Sequence, residues 1–423
     1  HNADTRKCAE WVKNKFEQAG LENSQILETG GQPIVYADYL HAEGHPTVLV
    51  YGHYDVQSPD PLDEWKSAPF EPEVRDGKLY ARGADDNKGQ FFAHLKALEL
   101  LIHTDKRLPV NVKFMVEGEE EIGGVHLDSF IESHLDLLKA DVCLISDSHS
   151  LSVTQPLINY GLRGLVYTEL TLSALDKDVH SGEFGGNVPN VAIELANIIS
   201  KLKDPVTQKV LVDGFYDNVR QVSHEEMHQL EHSPFTERFV LEETGASRLI
   251  GEEGFLPPVR MGARPTLDVN GMSSGYILEG SKTIIPSKAM AKISLRIVPN
   301  QTSAEIAEKF TNFVRKIVPR YVNYIDVKIL STGEPILMDI SSHFFKHAET
   351  VLEEVFGNKP VYDLSGGSIP VTATLKKLLG IDSILMGFGL PDDGLHSPNE
   401  KMDVEMFYKG IKSSTLFFRS LGL

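Results

Sequence analysis

Two histidines, His53 and His396, and three acidic sites, Asp85-Asp86, the run Glu119-Glu120-Glu121 and Asp147, are the side chains of this 423-residue chain whose types and settings could do chemistry together. Imidazole mixed with carboxylate suits Zn²⁺ first, with Mn²⁺ or Co²⁺ as alternatives. Two imidazoles with several carboxylates to share are enough for two metals, because one carboxylate can bridge ions about 3.5–4 Å apart that hold a water between them as hydroxide. Each residue is weak evidence alone. A lone histidine at a strand end is more often a hydrogen-bonded structural residue, an aspartate before a helix is most often an N-cap, and a run of glutamates is usually a solvated helix face. Jointly, two histidines and three acidic sites at one sheet edge would bury like charges at high cost without a cation. His53 and Asp55, at i and i+2 of an extended chain, point to the same side. Asp55 can therefore orient His53 or a neighbouring carboxylate from behind.

The elements that must deliver these residues are apolar strands. Thr47–Tyr51 is a near-continuous apolar run, as expected of a strand buried on both faces, and it ends at Gly52-His53-Tyr54-Asp55. A run led by Val110 and Val112 ends in Glu117-Gly118-Glu119-Glu120-Glu121, followed by Gly123-Gly124. Val142–Ile145 ends at Ser146-Asp147, and Ser383–Gly387 feeds Gly394-Leu395-His396-Ser397-Pro398. Asp85-Asp86 lies on a Gly-flanked loop before a helix carrying Phe91, Leu95, Leu98 and Ile102 on one stripe. Ligands gathered at the C-terminal ends of strands are how open α/β sheets build sites.

Around them, residues up to Gln18 read as an amphipathic helix, Ile34–Tyr39 as a strand, Asp76-Gly77 as a hairpin turn, and Leu127–Leu138 as a helical stretch. Alternating strands and helices predict an α/β domain, a mainly parallel sheet covered by helices. The pattern changes after Arg163. Val166–Leu172, Pro189–Leu202, Ala289–Val298, Ser303–Val318 and Asn323–Leu330 read strand, helix, strand, helix, strand, a split βαβ layer. An acidic, irregular excursion from about Lys203 to Arg264 interrupts it and is too long for a simple loop. The first pattern then resumes with a helix near Ser342–Phe356, a turn at Ser365-Gly366-Gly367-Ser368 and a helix to Leu379. The expected organisation is a catalytic domain in two parts, residues 1–163 and 332–423, with an inserted α+β ferredoxin-like lid or dimerisation domain at 164–331.

Composition bounds the partners. With 41 basic and 60 acidic side chains the formal net charge is −19, which argues against nucleic acid and anionic membrane surfaces. No apolar segment is long enough to span a bilayer. Two cysteines, Cys8 and Cys143, imply no disulfide scaffold and a reducing, cytoplasmic setting; His1-Asn2-Ala3-Asp4 lacks the hydrophobic stretch of a signal peptide.

Gly52-His53-Tyr54-Asp55-Val56, Asp86-Asn87-Lys88-Gly89, Glu120-Glu121, Ser146-Asp147 and Leu395-His396-Ser397 stand in the order and context of the dinuclear zinc peptidases, the family of carnosinase, cytosolic non-specific dipeptidase, carboxypeptidase G, acetylornithine deacetylase and succinyl-diaminopimelate desuccinylase. The resemblance covers nearly the whole chain. It implies a catalytic domain of the zinc-peptidase type with two divalent metal ions per subunit, Zn²⁺ first and Mn²⁺ second. Asp86 would bridge them, with His53 and Asp147 completing one site and Glu121 and His396 the other. It further implies Glu120 as general base, Asp55 as its support, and a cis peptide at Asp86-Asn87. Glu119 and Glu117 remain supporting or solvated charges. His180, in Asp178-Val179-His180-Ser181-Gly182, matches the family histidine that reaches into the partner subunit's site, which implies a homodimer.

Three features resemble the dipeptidase branch. Lys282-Thr283-Ile284-Ile285-Pro286 and Ser294-Leu295-Arg296-Ile297-Val298-Pro299 are similar to segments whose Thr and Arg hold a substrate carboxylate, a task a guanidinium suits because it bonds both oxygens. Gly366-Gly367-Ser368-Ile369-Pro370 is similar to the turn that supplies a hydroxyl and backbone donors, so Gly367 and Ser368 join the candidate substrate residues. The long excursion is the third. One departure is Leu330-Ser331-Thr332-Gly333-Glu334-Pro335, where mammalian dipeptidases place a histidine near Gly-Gly-Lys-Pro. The expected function is metal-dependent hydrolysis of dipeptides. The alternatives are an N-acyl amino acid deacylase of the same family and, from another class, a non-catalytic binding module on a peptidase fold, which predicts lost ligands.

Overall fold

The computed structural model describes residues 2–231, 233–367 and 369–422. The chain divides into two compact units, one formed by His1–Tyr160, Met338–Tyr362 and Ile369–Leu423 and the other by Gly161–Leu337 with Asp363–Ser368.

The first unit is built on a mixed sheet. Its strands include β1 (Glu22–Leu27), β2 (Ile34–Tyr39), β3 (Thr47–His53), β4 (Asn111–Glu117), β5 (Val142–Ile145), β6 (Leu157–Leu162) and β7 (Ser383–Met386). They lie in the order β1-β2-β4-β3-β5-β7-β6. The four central strands, β4, β3, β5 and β7, run parallel. The flanking pairs β1/β2, β2/β4 and β7/β6 are antiparallel, so the parallel part is confined to the centre. This centre is where the apolar runs are densest. Val48–Tyr51, Val112, Phe114–Val116 and Val142–Ile145 are all buried, because helices cover both faces. The parallel register aligns the ends as well, with His53 opposite Glu117 and Tyr51 opposite Ile145.

Helix Lys88–Asp105 begins two residues after Asp86 and buries Phe91, Leu95 and Leu98. Helix Val404–Leu421 packs on it, and sequence reading missed this helix. The Leu127–Leu138 stretch is two helices, Leu127–Ser133 and Leu135–Leu138, broken at His134. The hairpin Glu73–Arg75/Lys78–Tyr80 turns at Asp76 and Gly77, with φ of 48° and 75° as a two-residue turn of this hand requires.

The second unit is a four-stranded antiparallel sheet in the order Thr266–Ser274, Lys288–Ile297, Gly164–Ser173, Tyr324–Gly333. With helices Val191–Ser200 and Ser303–Ile317 it makes a β-α-β-β-α-β unit of order 4-1-3-2, a ferredoxin-like layer. Alternation explains the single core. Val166, Leu170 and Leu172 on one strand and Ala289, Ala291, Ile293 and Leu295 on its neighbour face the helices, which add Leu195, Ile198, Ile306 and Phe310. The excursion is less irregular than its composition suggests, for it holds helices His224–Glu231, Glu237–Thr244 and Pro257–Gly262.

Candidate metal centre

All five candidate ligands lie in the first unit, at the C-terminal ends of its parallel strands. His53 is the last residue of β3, Asp147 lies two residues past β5, and Glu120-Glu121 open a short 3-10 turn after β4. His396 follows β7 at the end of a loop. Asp86 comes from the loop before helix Lys88–Asp105, and its peptide to Asn87 is cis, as the resemblance implies. One Asp86 carboxylate spans two imidazoles: Oδ1 lies 3.1 Å from His53 Nε2 and Oδ2 3.0 Å from His396 Nε2. Asp147 Oδ1 is 3.7 Å from His53 Nε2, and Glu121 Oε2 is 3.3 Å from His396 Nε2. Ligand atoms of His53, Asp86 and Glu121 all lie within 4.8 Å of one another, close enough to hold one ion.

The donor set fits divalent cations. His53 is fully buried, and its Nε2 makes no aligned hydrogen bond although Asp86 Oδ1 lies 3.1 Å away. Its Nδ1 faces Asp55, 3.2 Å from the main-chain oxygen and 3.4 Å from Oδ1. With a cation at Nε2, that arrangement would keep the ring proton on Nδ1 and give the Nε2 lone pair to the metal. The other Asp55 oxygen, Oδ2, accepts from the Glu121 N–H at 3.0 Å, so one aspartate orients ligands from two strands.

Sequence reasoning gave no positioning role to three residues that hold this geometry. Asn87 is buried; its Nδ2 donates to Asp147 Oδ1 at 2.9 Å and to the Ser146 carbonyl at 2.5 Å, and its Oδ1 accepts from the His53 N–H at 3.2 Å. Gly52 makes room for it: a Cβ there would lie 2.8 Å from Asn87 Oδ1 and 2.6 Å from the Phe91 Cβ. Gln57 donates to Glu121 Oε2 at 2.9 Å. Glu400 accepts four hydrogen bonds at its carboxylate from the loop that carries Asp86. The signals in sequence were only an asparagine beside an aspartate and a glutamate four residues after a histidine.

The glutamate run separates by environment. Glu117 is buried and accepts from the Tyr51 hydroxyl at 2.6 Å; burial first, and nearby Asp55 and Glu119, push it up to about 7. Glu119 accepts from the Gln32 N–H at 3.0 Å and meets His126 Nδ1 at 2.7 Å. Both are enclosed, which overturns the solvated reading and leaves the supporting one. Glu120 has no side-chain hydrogen-bond partner among the described residues. Burial, followed by repulsion from Asp147, Glu121 and Glu117, pushes its carboxyl up to about 8 against attraction from His53. Glu121 is raised for the same first reason. Burial also raises Asp86, but His396 and His53 outweigh it and hold that carboxyl well below the usual range.

The candidate substrate residues lie in the second unit. His180 and Thr283 are neighbours: Val179–His180 pairs with Ile284–Ile285, and the Thr283 carbonyl accepts from the Ser181 N–H at 3.0 Å. The Nδ1 of His180 caps the following turn by accepting from the Gly182 N–H at 2.9 Å, and the side chain is otherwise exposed. Arg296 projects from the half-exposed face of the antiparallel sheet and makes no close ion pair among the described residues; burial lowers its pKa against the attraction of Asp268. Arg163, which sequence reasoning also missed, interacts with it electrostatically and donates to the Gly366 carbonyl at 3.4 Å. Gly367 is exposed, its N–H directed at Ser365 Oγ at 3.2 Å, and Ser368 lies outside the described residues. No helix among the described residues is long and apolar enough to cross a membrane.

The profile described as Peptidase family M20/M25/M40 matches residues 49–420. The chain is 32% identical over 420 residues to the Cys-Gly metallodipeptidase dug1 of Schizosaccharomyces pombe, covering 96% of this chain and 88% of that one. It is 30% identical over 400 residues to the human Beta-Ala-His dipeptidase, covering 91% and 77%. Among solved structures, the M20 family metallo-carboxypeptidase Sso-CP2 of Sulfolobus solfataricus superposes with a TM-score of 0.87 at 34% identity, covering 98% of this chain and 93% of that one.

Proposed function

The chain belongs to peptidase family M20/M25/M40 and is a hydrolase, and we propose that within this family it is a dipeptidase working with two divalent metal ions. The observation that carries the reading is the Asp86 carboxylate held between His53 and His396, at 3.1 and 3.0 Å, beside the unpaired Glu120. In this reading Asp86 would serve both ions, His53 and Asp147 would complete the ligands of one, and Glu121 and His396 those of the other. Zn²⁺ is the first choice and Mn²⁺ the second, from the ligand types. Bound metal ions supply Lewis acidity and make a water nucleophilic near neutral pH.

The chain's own residues supply the rest. Glu120 takes a proton from the attacking water and returns it to the leaving amine. Asp55 keeps His53 in the tautomer that presents Nε2 and fixes the Glu121 backbone. Arg296 and Thr283 hold the substrate's terminal carboxylate, with Gly367 contributing a backbone donor and Ser368 a hydroxyl. His180 supplies a donor to the tetrahedral oxyanion in the partner subunit's site of a homodimer.

The dipeptidase names of the relatives from yeast and human support this substrate class. The resemblance to a metallo-carboxypeptidase structure favours a second reading, release of C-terminal residues from longer chains. One panel separates them. Free dipeptides, including Cys-Gly and β-Ala-His, are offered with Zn²⁺ or Mn²⁺ beside N-blocked peptides and N-acetyl or N-succinyl amino acids. Turnover of free dipeptides supports the proposal. Turnover only of N-blocked peptides makes the protein a carboxypeptidase, turnover only of acylated amino acids makes it a deacylase, and binding without turnover makes it a binding module. Shared sites are tested by mixing inactive His180→Ala with inactive Glu120→Gln. Partial recovery through hybrid dimers is expected, and no recovery after proven subunit exchange refutes the role given to His180.

A further inference from the structure

A buried carboxylate outside the ligand set controls the loop that carries Asp86. Glu400 is completely enclosed. Its Oε2 accepts from the Arg82 guanidinium at 2.7 Å and the Gly83 N–H at 2.9 Å, and its Oε1 accepts from the Asp85 and Asp86 N–H groups at 3.1 and 3.0 Å. Its own carbonyl accepts from the Ala81 N–H at 3.1 Å. Glu400 thus receives the N–H groups of Ala81, Gly83, Asp85 and Asp86, while the Arg82 N–H donates to the Pro69 carbonyl at 2.8 Å and the Ala84 N–H turns back to the Ala81 carbonyl.

Without Glu400 the Asp85 and Asp86 N–H groups have no other acceptor among the described residues. The loop lies outside any strand, and the helix begins only at Lys88. Neither Asp86 carboxylate oxygen bonds to the loop; they face His53 and His396 instead. Glu400 stands four residues after His396, so one short segment supplies a candidate ligand and also the anchor for the bridging residue. The segment is itself fixed: Lys401 Nζ pairs with buried Asp393 at 2.5 Å, and the Lys401 N–H donates to the Asp393 carbonyl at 2.9 Å.

Resting on the two-metal reading above, we propose that Glu400, paired with Arg82, is a positioning residue for the metal centre: it fixes the backbone of residues 83–86 so that one carboxylate stays placed between His53 and His396. The requirement is for a carboxylate in particular. In Glu400→Gln the amide oxygen can serve one pair of donors, while the NH₂ meets the other pair donor to donor. The loop then loses half its ties and Asp86 its fixed position. Supporting groups of this kind typically cost about 10–100-fold in metal affinity when replaced.

The experiment measures Zn²⁺ and Mn²⁺ binding to metal-free protein by calorimetry and by metal content after dialysis. It compares the wild type, Glu400→Gln and the double variant Arg82→Gln/Glu400→Gln, which removes both buried charges and so leaves neither unpaired. Expected are affinities about 10–100-fold weaker in both variants, with KM for a dipeptide unchanged once metal is saturating and activity restored by excess metal. Wild-type affinity in either folded variant overturns the proposal, as does a lost kcat that excess metal does not restore. A variant with a collapsed thermal transition is judged by its partner, and collapse of both makes Glu400 a fold residue and refutes the positioning role. Failure of the wild type to bind metal at all would instead refute the two-metal reading.

Discussion

Replacing Glu120 by Gln should do two opposite things, and both sizes follow from its surroundings. Burial and three neighbouring carboxylates raise its carboxyl from the usual 4.5 to about 8. In the unfolded chain the same group ionises near 4.5. Between those values the folded metal-free protein keeps a proton that the unfolded chain releases, so folding stability contributed by this group is intact below about pH 4.5 and lost as pH rises toward 8. At ~1.36 kcal/mol per pH unit the whole interval would be worth about 4–5 kcal/mol at pH 8. Glu120 is not fully enclosed, and its acidic neighbours can take up protons in its place, so about 1–2 kcal/mol is the realistic share. Gln carries no charge to desolvate and escapes this loss. Denaturant unfolding in a strong chelator at pH 5 and pH 8 should therefore show wild type and Glu120→Gln diverging, with the variant more stable by about 1–2 kcal/mol at pH 8 and nearly equal at pH 5. With metal restored, the same variant should lose about 10²–10⁴-fold in kcat, the usual worth of a positioned acid-base group. A stability difference independent of pH would refute the assigned environment, and near wild-type turnover would refute the role.

Other perturbations test separate parts of the centre. Adding Zn²⁺ or Mn²⁺ to metal-free protein should raise the thermal transition, by an amount equivalent to about 2.7 kcal/mol at a hundredfold excess over Kd, and a chelator should reverse it; no shift would count against a bound cation. Gly52→Ala puts a Cβ 2.6 Å from the Phe91 Cβ and 2.8 Å from Asn87 Oδ1, so calorimetry of the metal-free chain should show about 1–3 kcal/mol of lost stability together with weaker metal binding. Asn87→Leu should weaken metal binding with little change in KM at saturating metal, since Asn87 holds Asp147 and His53 and faces no substrate residue of its unit. Arg296→Met should raise KM for a free dipeptide with kcat largely kept, and should erase the preference for the dipeptide over its C-terminal amide in steady-state assays; an unchanged preference would remove Arg296 from carboxylate binding.

What the sequence made legible follows the density of apolar residues. The parallel strands β3, β4 and β5 are near-continuous hydrophobic runs, and each ends abruptly in a histidine or carboxylate, so strand and ligand could be read together. Edge strands carry no such mark. Thr266–Ser274 has Leu267 as its one fully buried side chain, and β1 reads Glu-Asn-Ser-Gln-Ile-Leu; their pairing is decided by neighbours far along the chain. Helix Val404–Leu421 escaped because its buried face includes Gly410, Ser413, Ser414 and Thr415, which break the apolar stripe that marks a helix. The excursion reads as irregular because its helices Glu237–Thr244 and His224–Glu231 are largely polar on the surface.

The roles of the acidic residues depend on contacts that no local window contains. Glu117, Glu119, Glu120 and Glu121 are indistinguishable as a run, yet Tyr51, Gln32 with His126, His53, and His396 with Gln57 each attract a different one. The same holds for Glu400, which sits in a polar Pro-Asn-Glu-Lys stretch but is buried against donors 314 to 318 residues earlier in sequence. A carboxylate whose oxygens meet an arginine and three main-chain N–H groups is fully used and has no lone pair left to offer a metal. One whose oxygens meet two unpartnered or exposed imidazoles is not. By that criterion Asp86 belongs at the centre and Glu400 behind it, although the segment that carries Glu400 is the one that carries His396.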